Sequence, residues 1–381
     1  MSKLDELIKE LCPDGVEYKA IKDCCNIFDN MRKPVKKGER IIGKYPYYGA
    51  NGIQDYVADY IFEGAFILVG EDGSVVTNRG TPVVTWAEGK FWVNNHAHII
   101  NAKEGVLLRY IFHALQTIEI SGLIHGNIPK LTGKDFRALK IPVPPLEVQS
   151  EIVKILDNFT ELTAELTAEL TARKKQYEYY RNRLLTFESK NISLFKLQDV
   201  VEIQRGIRVT RNQLSNDGKY PVYQNSLVPM GYYNDKNREA NSTFLICAGA
   251  AGDIGYSTQA FWAADDCYTF DCSDKILNRY LFYVLKNKQA LIYSKVRRAS
   301  VPRISKESIG TIKVPVPEIS VQERIVNVLD NFDKVCNDLH IGLPAEIEAR
   351  KKQYEFYRDS LLTFLEKGES ILTDRQTDRQ N

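Results

Sequence analysis

A long internal repeat constrains this chain more than any other feature. Lys140-Ile-Pro-Val-Pro-Pro-Leu-Glu-Val-Gln149 recurs as Lys313-Val-Pro-Val-Pro-Glu-Ile-Ser-Val-Gln322, a displacement of 173 (140 to 313). Leu156-Asp-Asn-Phe159 recurs as Leu329-Asp-Asn-Phe332 with the same displacement. Ala172-Arg-Lys-Lys-Gln-Tyr-Glu-Tyr-Tyr-Arg181 recurs as Ala349-Arg-Lys-Lys-Gln-Tyr-Glu-Phe-Tyr-Arg358, displaced by 177 (172 to 349), and both copies close on Leu-Leu-Thr-Phe at 184–187 and 361–364. Looser parallels precede each copy: Lys44-Tyr-Pro46 with Lys219-Tyr-Pro221, Phe91-Trp92 with Phe261-Trp262, Arg109-Tyr110 with Arg279-Tyr280, and Ile128-Pro129 with Val301-Pro302. Two copies of so long a repeat do not make a solenoid. They divide the chain into a variable domain 1 (1–147), a central helix (148–188), a variable domain 2 (189–320), a distal helix (321–367) and a polar tail (368–381).

The repeated segments read as helices. From Val148 to Phe187 there is neither Pro nor Gly, and Pro144-Pro145 mark the start. Ile152, Leu156, Phe159, Leu162, Leu166, Leu170, Tyr177, Tyr180, Leu184 and Phe187 fall at steps of three and four with Arg173 as the polar intruder, which makes one apolar stripe. Such a stripe must be buried, and the sister copy is the natural partner in an antiparallel pair. The copies differ at their centres. The central helix carries Thr163-Ala-Glu-Leu166 and Thr167-Ala-Glu-Leu170 in tandem, whereas the distal one has His340-Ile-Gly-Leu-Pro344, which predicts a break and a fresh helix start. Each four-residue unit adds ~6 Å to a helix, so the units Thr163, Leu166, Thr167 and Leu170 belong to act as a ruler.

Each variable domain mixes short alternating runs with Gly-rich turns and one helical pattern, Leu107–Ile120 and Leu277–Ile292, as expected of α+β domains. Basic residues gather in loop-like stretches at comparable positions. Met31-Arg-Lys-Pro-Val-Lys-Lys-Gly-Glu-Arg40 parallels Gln204-Arg-Gly-Ile-Arg-Val-Thr-Arg-Asn-Gln213, and His125-Gly-Asn-Ile-Pro-Lys130 parallels Lys295-Val-Arg-Arg-Ala-Ser-Val-Pro-Arg303. Arg, Lys, Asn and Gln grip phosphates and make bidentate contacts to guanine and adenine edges. The candidate DNA-binding residues are therefore Arg32, Lys33, Lys36, Lys37, Arg79, Asn127, Lys130, Arg205, Arg208, Arg211, Asn212, Arg297, Arg298, Ser300 and Arg303. Residues 191–320 hold 17 Lys/Arg against 12 Asp/Glu, whereas 1–150 hold 18 of each.

Composition excludes several classes. Net charge is +2, no apolar run approaches the ~20 residues of a membrane helix, and Met1-Ser-Lys-Leu-Asp-Glu-Leu-Ile-Lys-Glu10 has no signal-peptide core. Seven cysteines without a CxxC pair argue for reduced thiols and a cytoplasmic location. Catalytic motifs are missing: no GxxxxGK[ST] loop, no DEAD-type segment, no Asn-Pro-Pro-Tyr or Asp-Pro-Pro-Tyr stretch. Gly249-Ala-Ala-Gly252 reads as a turn. His96 and His98 alternate on one face, but no acidic residue or Cys at ligand spacing completes a metal set, so they are expected to be structural. No catalytic and no metal-binding residue is assigned.

This alternation of two variable domains with two helices ending Ala-Arg-Lys-Lys-Gln-Tyr-Glu-(Tyr/Phe)-Tyr-Arg resembles the specificity subunit of type I restriction–modification systems. The resemblance rests on Ile141-Pro-Val-Pro144, Val314-Pro-Val-Pro317, both Leu-Asp-Asn-Phe stretches, the Thr-Ala-Glu-Leu run and Gly342-Leu-Pro-Ala-Glu-Ile-Glu-Ala-Arg350, and spans nearly the whole chain. It implies an α+β protein with two target-recognition domains separated by two long conserved helices packed as an antiparallel coiled coil, with internal pseudo-twofold symmetry. It further implies that each domain reads half of a bipartite double-stranded DNA site and that the helices dock two adenine-N6 methyltransferase subunits, with restriction/translocase subunits completing the assembly. S-adenosylmethionine, ATP and Mg²⁺ would be bound by those partners, and this chain would catalyse nothing. A specificity subunit for a fused restriction–methylation enzyme of another type, and a coiled-coil scaffold that binds protein, remain open at this point.

Overall fold

Two prolines followed by a run free of helix breakers produce one uninterrupted helix, Leu146–Thr186, which at ~1.5 Å per residue is roughly 60 Å long. The computed structural model describes residues 3–73, 75–124, 128–187, 192–215 and 217–367, so Asn127 and the 368–381 tail lie outside the described residues. The chain divides into two compact units, with a boundary inside this helix: Met1–Glu165 with Ile347–Asn381 form unit 1, and Leu166–Glu346 form unit 2.

In unit 1 the sheet order is Cys25–Ile27, Ala97–Ala102, Phe62–Gly70, Val84–Val93, Ile42–Gly49, Gly52–Val57. Val84–Val93 runs antiparallel to Phe62–Gly70 from Val84 to Phe91 and parallel to Ile42–Gly49 at Trp92 and Val93, so a single strand serves both parts of the sheet. Unit 2 repeats the arrangement with that strand divided. Val201–Arg205, Cys267–Cys272, Ser242–Ile246 and Ile254–Ser257 form one sheet, and Gly231–Tyr233, Tyr220–Tyr223 and Trp262–Ala263 another. The division falls where Ser257 Oγ donates to the Gln259 carbonyl at 2.6 Å, a local turn that competes with ladder pairing. Each Pro-Val-Pro segment is preceded by a short strand that pairs back to the domain's start: Tyr18 opposite Pro142, and Leu194 opposite Pro315.

Both cores are built jointly by domain and helix. In unit 1, Ile67, Ile100, Tyr110 and Ile111 pack with Val148, Ile152 and Leu156 of the central helix and with Leu361 and Leu362 of the last helix. In unit 2, Leu245, Tyr280 and Tyr283 pack with Leu185 of the central helix and with Ile325 and Leu329 of the distal one. Phe159 stacks on Tyr357 at 5.1 Å within unit 1, and Tyr180 on Phe332 at 5.7 Å within unit 2. Early residues of the central helix thus meet late residues of the distal region in one unit, and late ones meet early ones in the other, the pairing order of an antiparallel pair.

The distal region is two helices, Ile319–Asn337 and Leu343–Lys367. Asp338 accepts the amides of His340 and Ile341 at the break, and a Cβ on Gly342 would meet the Lys334 and Asp338 carbonyls at 2.5 and 2.6 Å. Glycine is therefore required there by close approach. The helical patterns inside the domains prove shorter than their hydrophobic spacing predicts. Leu108–Leu115 stops where Thr117 Oγ1 and the Gln116 side chain cap the Ala114 and Phe112 carbonyls. In unit 2 the pattern divides into Asn278–Asn287 and Gln289–Ser294. Among the described residues no helix is long and apolar enough to cross a membrane.

Candidate nucleic-acid interface

Two buried contacts and one half-buried ion pair mount each domain on its helix, and they are the same three in both units. Gln149, fully buried, accepts the Leu107 amide at 2.8 Å and donates to the Gly105 and Pro144 carbonyls at 3.2 and 2.7 Å. Gln322 accepts Leu277 at 2.9 Å and donates to Lys275 and Pro317 at 2.8 Å each. The Tyr110 hydroxyl donates to the Pro142 carbonyl, as Tyr280 does to Pro315. Arg109 Nε meets Asp157 of the first Leu-Asp-Asn-Phe at 2.7 Å, and Arg279 Nε meets Asp330 of the second at 2.7 Å. Burial alone would raise the Asp157 carboxyl, but hydrogen bonds from His113 and Arg109 hold it below the usual carboxylate range. The repeats contain Arg-Tyr, Leu-Asp-Asn-Phe and both glutamines, but linear spacing does not reveal that they contact one another.

A second duplicated device fixes the basic loops. Trp92 Nε1 donates to the Lys33 carbonyl at 2.6 Å, and Trp262 Nε1 to the Ile207 carbonyl at 2.8 Å. Arg32, half-buried, and Arg205, exposed, each reach a backbone carbonyl beside the sheet, Arg32 Nη1 the Ala97 carbonyl at 2.7 Å and Arg205 Nε the Asp265 carbonyl at 2.7 Å.

The structure sorts the candidate residues of domain 1 into two groups. Lys33, Lys36 and Lys37 are exposed, the last in the short turn Lys37–Glu39. Three others are committed within unit 1. Arg32 pairs with Glu71 at 2.6 Å and Asp29 at 3.8 Å, Lys130 pairs with Glu71 at 3.3 Å, and Arg79 pairs with Glu355 at 3.3 Å and with Asp359. In domain 2, Arg205, Arg208, Arg211, Asn212, Arg297, Arg298, Ser300 and Arg303 are all exposed. The 205–213 and 295–303 stretches flank one sheet end. Cys247 N donates to the Asp266 carbonyl at 2.7 Å while its own carbonyl accepts Ile304 N at 2.9 Å, and Arg205 holds the neighbouring Asp265 carbonyl.

Acidic groups distant in sequence do approach His98: Asp29, Glu71 and His98 bring ligand-type atoms within 4.8 Å of one another. Arg32 already bridges the two carboxylates, and His98 faces Asp29 through Nδ1 at 2.8 Å and the Leu131 carbonyl through Nε2 at 3.0 Å, stacked on Phe136. Burial works against the Asp29 carboxylate, yet His98 and Arg32 keep it below its ordinary range. The cluster is an ion-paired network whose donors and acceptors already serve one another. Cys24, Cys25 and Cys267 are buried free thiols, consistent with core filling, and Gly249 and Gly252 take positive φ in the turn they were expected to make.

The family model for the type I restriction modification DNA specificity domain matches residues 13–173 and again 189–349. The chain belongs to this family. A putative type I restriction enzyme specificity subunit of Haemophilus influenzae is 36% identical over 374 residues, covering 92% of this chain and 96% of that protein. The EcoR124I/EcoR124II specificity subunit of Escherichia coli is 33% identical over 288 residues, 68% of this chain and 71% of that one. Among solved structures, the type I S subunit from M. genitalium shares the fold with a TM-score of 0.66 at 18% identity, over 92% of this chain and 97% of that one. A chain from a study of complex assembly and conformational transition of the type I system gives 0.53 at 14% identity, over 93% and 98%.

Within this specificity-subunit fold, Thr163, Leu166, Thr167 and Leu170 occupy the middle of the central helix, where few side chains are buried. Thr163 and Thr171 return their hydroxyls to the carbonyls of Phe159 and Thr167 at 2.7 and 2.9 Å, and Arg173 pairs with Glu169 one turn away. The Glu169–Arg173 pair supports the helix locally, while the threonine hydroxyls satisfy themselves on the preceding turn.

Proposed function

We propose that this chain is the non-catalytic DNA-recognition subunit of a type I restriction–modification complex. Each domain reads one half of an asymmetric bipartite site in double-stranded DNA, and the helical regions set the distance between the halves. The observation that most supports this reading is the coexistence of closely similar mounts with unlike exposed edges: Gln149 and Gln322 hold their domains alike, while the exposed candidate cations are lysines in domain 1 and arginines in domain 2. A protein offering two different loop sets from equivalent positions has what an asymmetric split target requires. In this reading the helices dock two methyltransferase subunits that flip an adenine for N6 methylation, and restriction/translocase subunits join them. S-adenosylmethionine, ATP and Mg²⁺ belong to those partners, and the complex works in the cytoplasm.

The test is to co-express the chain with the adenine methyltransferase subunit of its own system, in a host free of adenine methylation, and to map methylated bases. A split motif with a fixed spacer, seen only with both proteins, is expected. Methylation by this chain alone would overturn the non-catalytic assignment, and no motif from a stable complex would favour the protein-binding scaffold. The same assay measures the ruler: deleting one Thr-Ala-Glu-Leu unit removes ~6 Å of helix and should shorten the unread spacer by about one or two base pairs with half-sites unchanged. Recovery of the original spacer would end the ruler idea.

A further inference from the structure

Equivalent backbone positions at the outer sheet end of the two domains carry opposite chemistry. In domain 1, Leu131 N donates to Glu71 O at 2.8 Å, Gly73 N to Pro129 O at 3.0 Å, and Asp72 bridges Lys130. In domain 2, Ile304 N donates to Cys247 O at 2.9 Å, Gly249 N to Pro302 O at 3.1 Å, and Ala248 bridges Arg303. Glu71 and Asp72 therefore correspond to Cys247 and Ala248, and Lys130 corresponds to Arg303. Domain 1 neutralises its cation on the spot, since Lys130 lies 3.3 Å from Glu71. Domain 2 has removed both acids from those positions and added a second cation.

That second cation is Arg297. Its amide donates to Arg303 O at 2.8 Å and its carbonyl accepts Arg303 N at 3.1 Å, so the two residues form a hydrogen-bonded antiparallel pair. Side chains at such a pair leave the same face, with Cα atoms ~5.5 Å apart, and like charges placed so are destabilising. Neither arginine, nor Arg298 beside them, forms an ion pair with a described residue, and all three are exposed. By the displacement of 173, the residue at Arg297's place in domain 1 is Ile124, which packs on the core. A hairpin that sets two guanidinium groups side by side without a counter-charge is built for an external acceptor. Its backbone is already anchored to the end of the Ser242–Ile246 strand through Cys247 and Gly249, so little ordering remains to be done on binding. A hairpin closed by this single bridge presents both arginines on one face, and the planar fork of arginine matches guanine O6 and N7 in the major groove.

We propose that the Arg297–Arg303 hairpin of domain 2 enters the major groove and reads guanine, which makes these two residues specificity determinants of one half-site. This rests on the DNA-recognition reading above. Domain 1, with Ile124 and a neutralised Lys130 at the matching places, reads its half-site by other groups.

The full chain in complex with its methyltransferase subunit would be assayed against duplexes carrying every base at each position of the motif found for the wild type. Arg297→Lys and Arg303→Lys keep the charge on an exposed loop and remove the bidentate fork. Each should lower discrimination for a guanine in one half-site by about 5- to 150-fold, leaving the other half-site and the spacer unchanged. Full discrimination in both variants would overturn the proposal, as would an equal loss of affinity for every base, since either result would make the pair a phosphate grip at most. A half-site motif without guanine on either strand would do the same. If the wild-type complex binds no split motif, the parent reading falls and this one with it, whereas a wild-type motif with insensitive lysine variants removes this inference alone.

Discussion

The two units of this chain differ most where they face outward and least where they are mounted. At the mount, a buried glutamine, a tyrosine hydroxyl on the proline carbonyl of each strand preceding the long helix, and an arginine on the Leu-Asp-Asn-Phe aspartate recur with distances matching to within a few tenths of an ångström. At the outer sheet end, Glu71, Asp72 and Lys130 in one unit stand against Cys247, Ala248 and Arg303 in the other. Physical cost explains the part of the contrast at Lys130 and Arg303. A buried amide with three partners cannot be exchanged without leaving several unsatisfied polar groups, whereas these exposed side chains can change at little cost. The mount is therefore the constrained part of each unit.

The sharpest way to break this comparison is at the mount. Gln149→Ala should strip Leu107 N, Gly105 O and Pro144 O of partners and destabilise unit 1 by about 3 kcal/mol. Gln322→Ala should do the same to unit 2 through Leu277 N, Lys275 O and Pro317 O. Hydrogen exchange followed separately in each unit checks both. Similar losses, each confined to the unit that carries the substitution, would show that the two mounts are equivalent and independent. A small effect in one unit would mean that its glutamine is dispensable and the repeat there is only geometric.

Much of this architecture was legible because repeated residues and repeated physics coincide. Equivalent mounting residues lie 173 positions apart on the helix side (149 to 322, 157 to 330) and 170 apart on the domain side (109 to 279, 110 to 280), and Gly342-Leu-Pro344 marks the break that the close approach of Gly342 enforces. The Trp pair hinted at by Phe91-Trp92 and Phe261-Trp262 anchors both basic loops. Less legible were the destinations of charged side chains. Arg32, Arg79 and Lys130 look like surface cations in a linear chain, but their partners Glu71, Glu355 and Asp359 lie up to 280 positions away, beyond any spacing rule. The acidic neighbours of His98 escaped for the same reason, being 69 and 27 positions off in sequence (98 less 29, 98 less 71). Hydrophobic spacing also overstated the helix after Leu107, because Thr117 and Gln116 close it with hydrogen bonds that a periodic pattern cannot report.

One mounting position does differ, and it yields the smallest predicted effect. Where unit 2 has Tyr283, whose hydroxyl donates to Asp330 at 2.5 Å, unit 1 has His113. His113 is fully buried, with Nε2 2.9 Å from Asp157 and Nδ1 2.8 Å from the Tyr354 hydroxyl of the last helix. Desolvation lowers its pKa, helped by the nearby Arg109 and Arg358 and opposed by Asp157. The folded unit therefore disfavours the proton that the unfolded chain accepts near its ordinary value of about 6.5. Stability from this site is complete above that value and is lost as pH falls below it, toward the lowered folded value. Asp157, itself held below the ordinary range, stays ionised throughout this interval and gives way only in more acid solution. As pH falls from about 7.5 to 5, hydrogen-exchange protection around Tyr354, corrected for the intrinsic pH dependence of amide exchange, should drop, while that of the equivalent segment of unit 2 around Tyr177, whose mount carries no histidine, should not. His113→Tyr copies the other unit's residue and should abolish the response. Equal acid sensitivity in both units, or a response that survives the tyrosine, would place its origin elsewhere and leave the two mounts interchangeable even here.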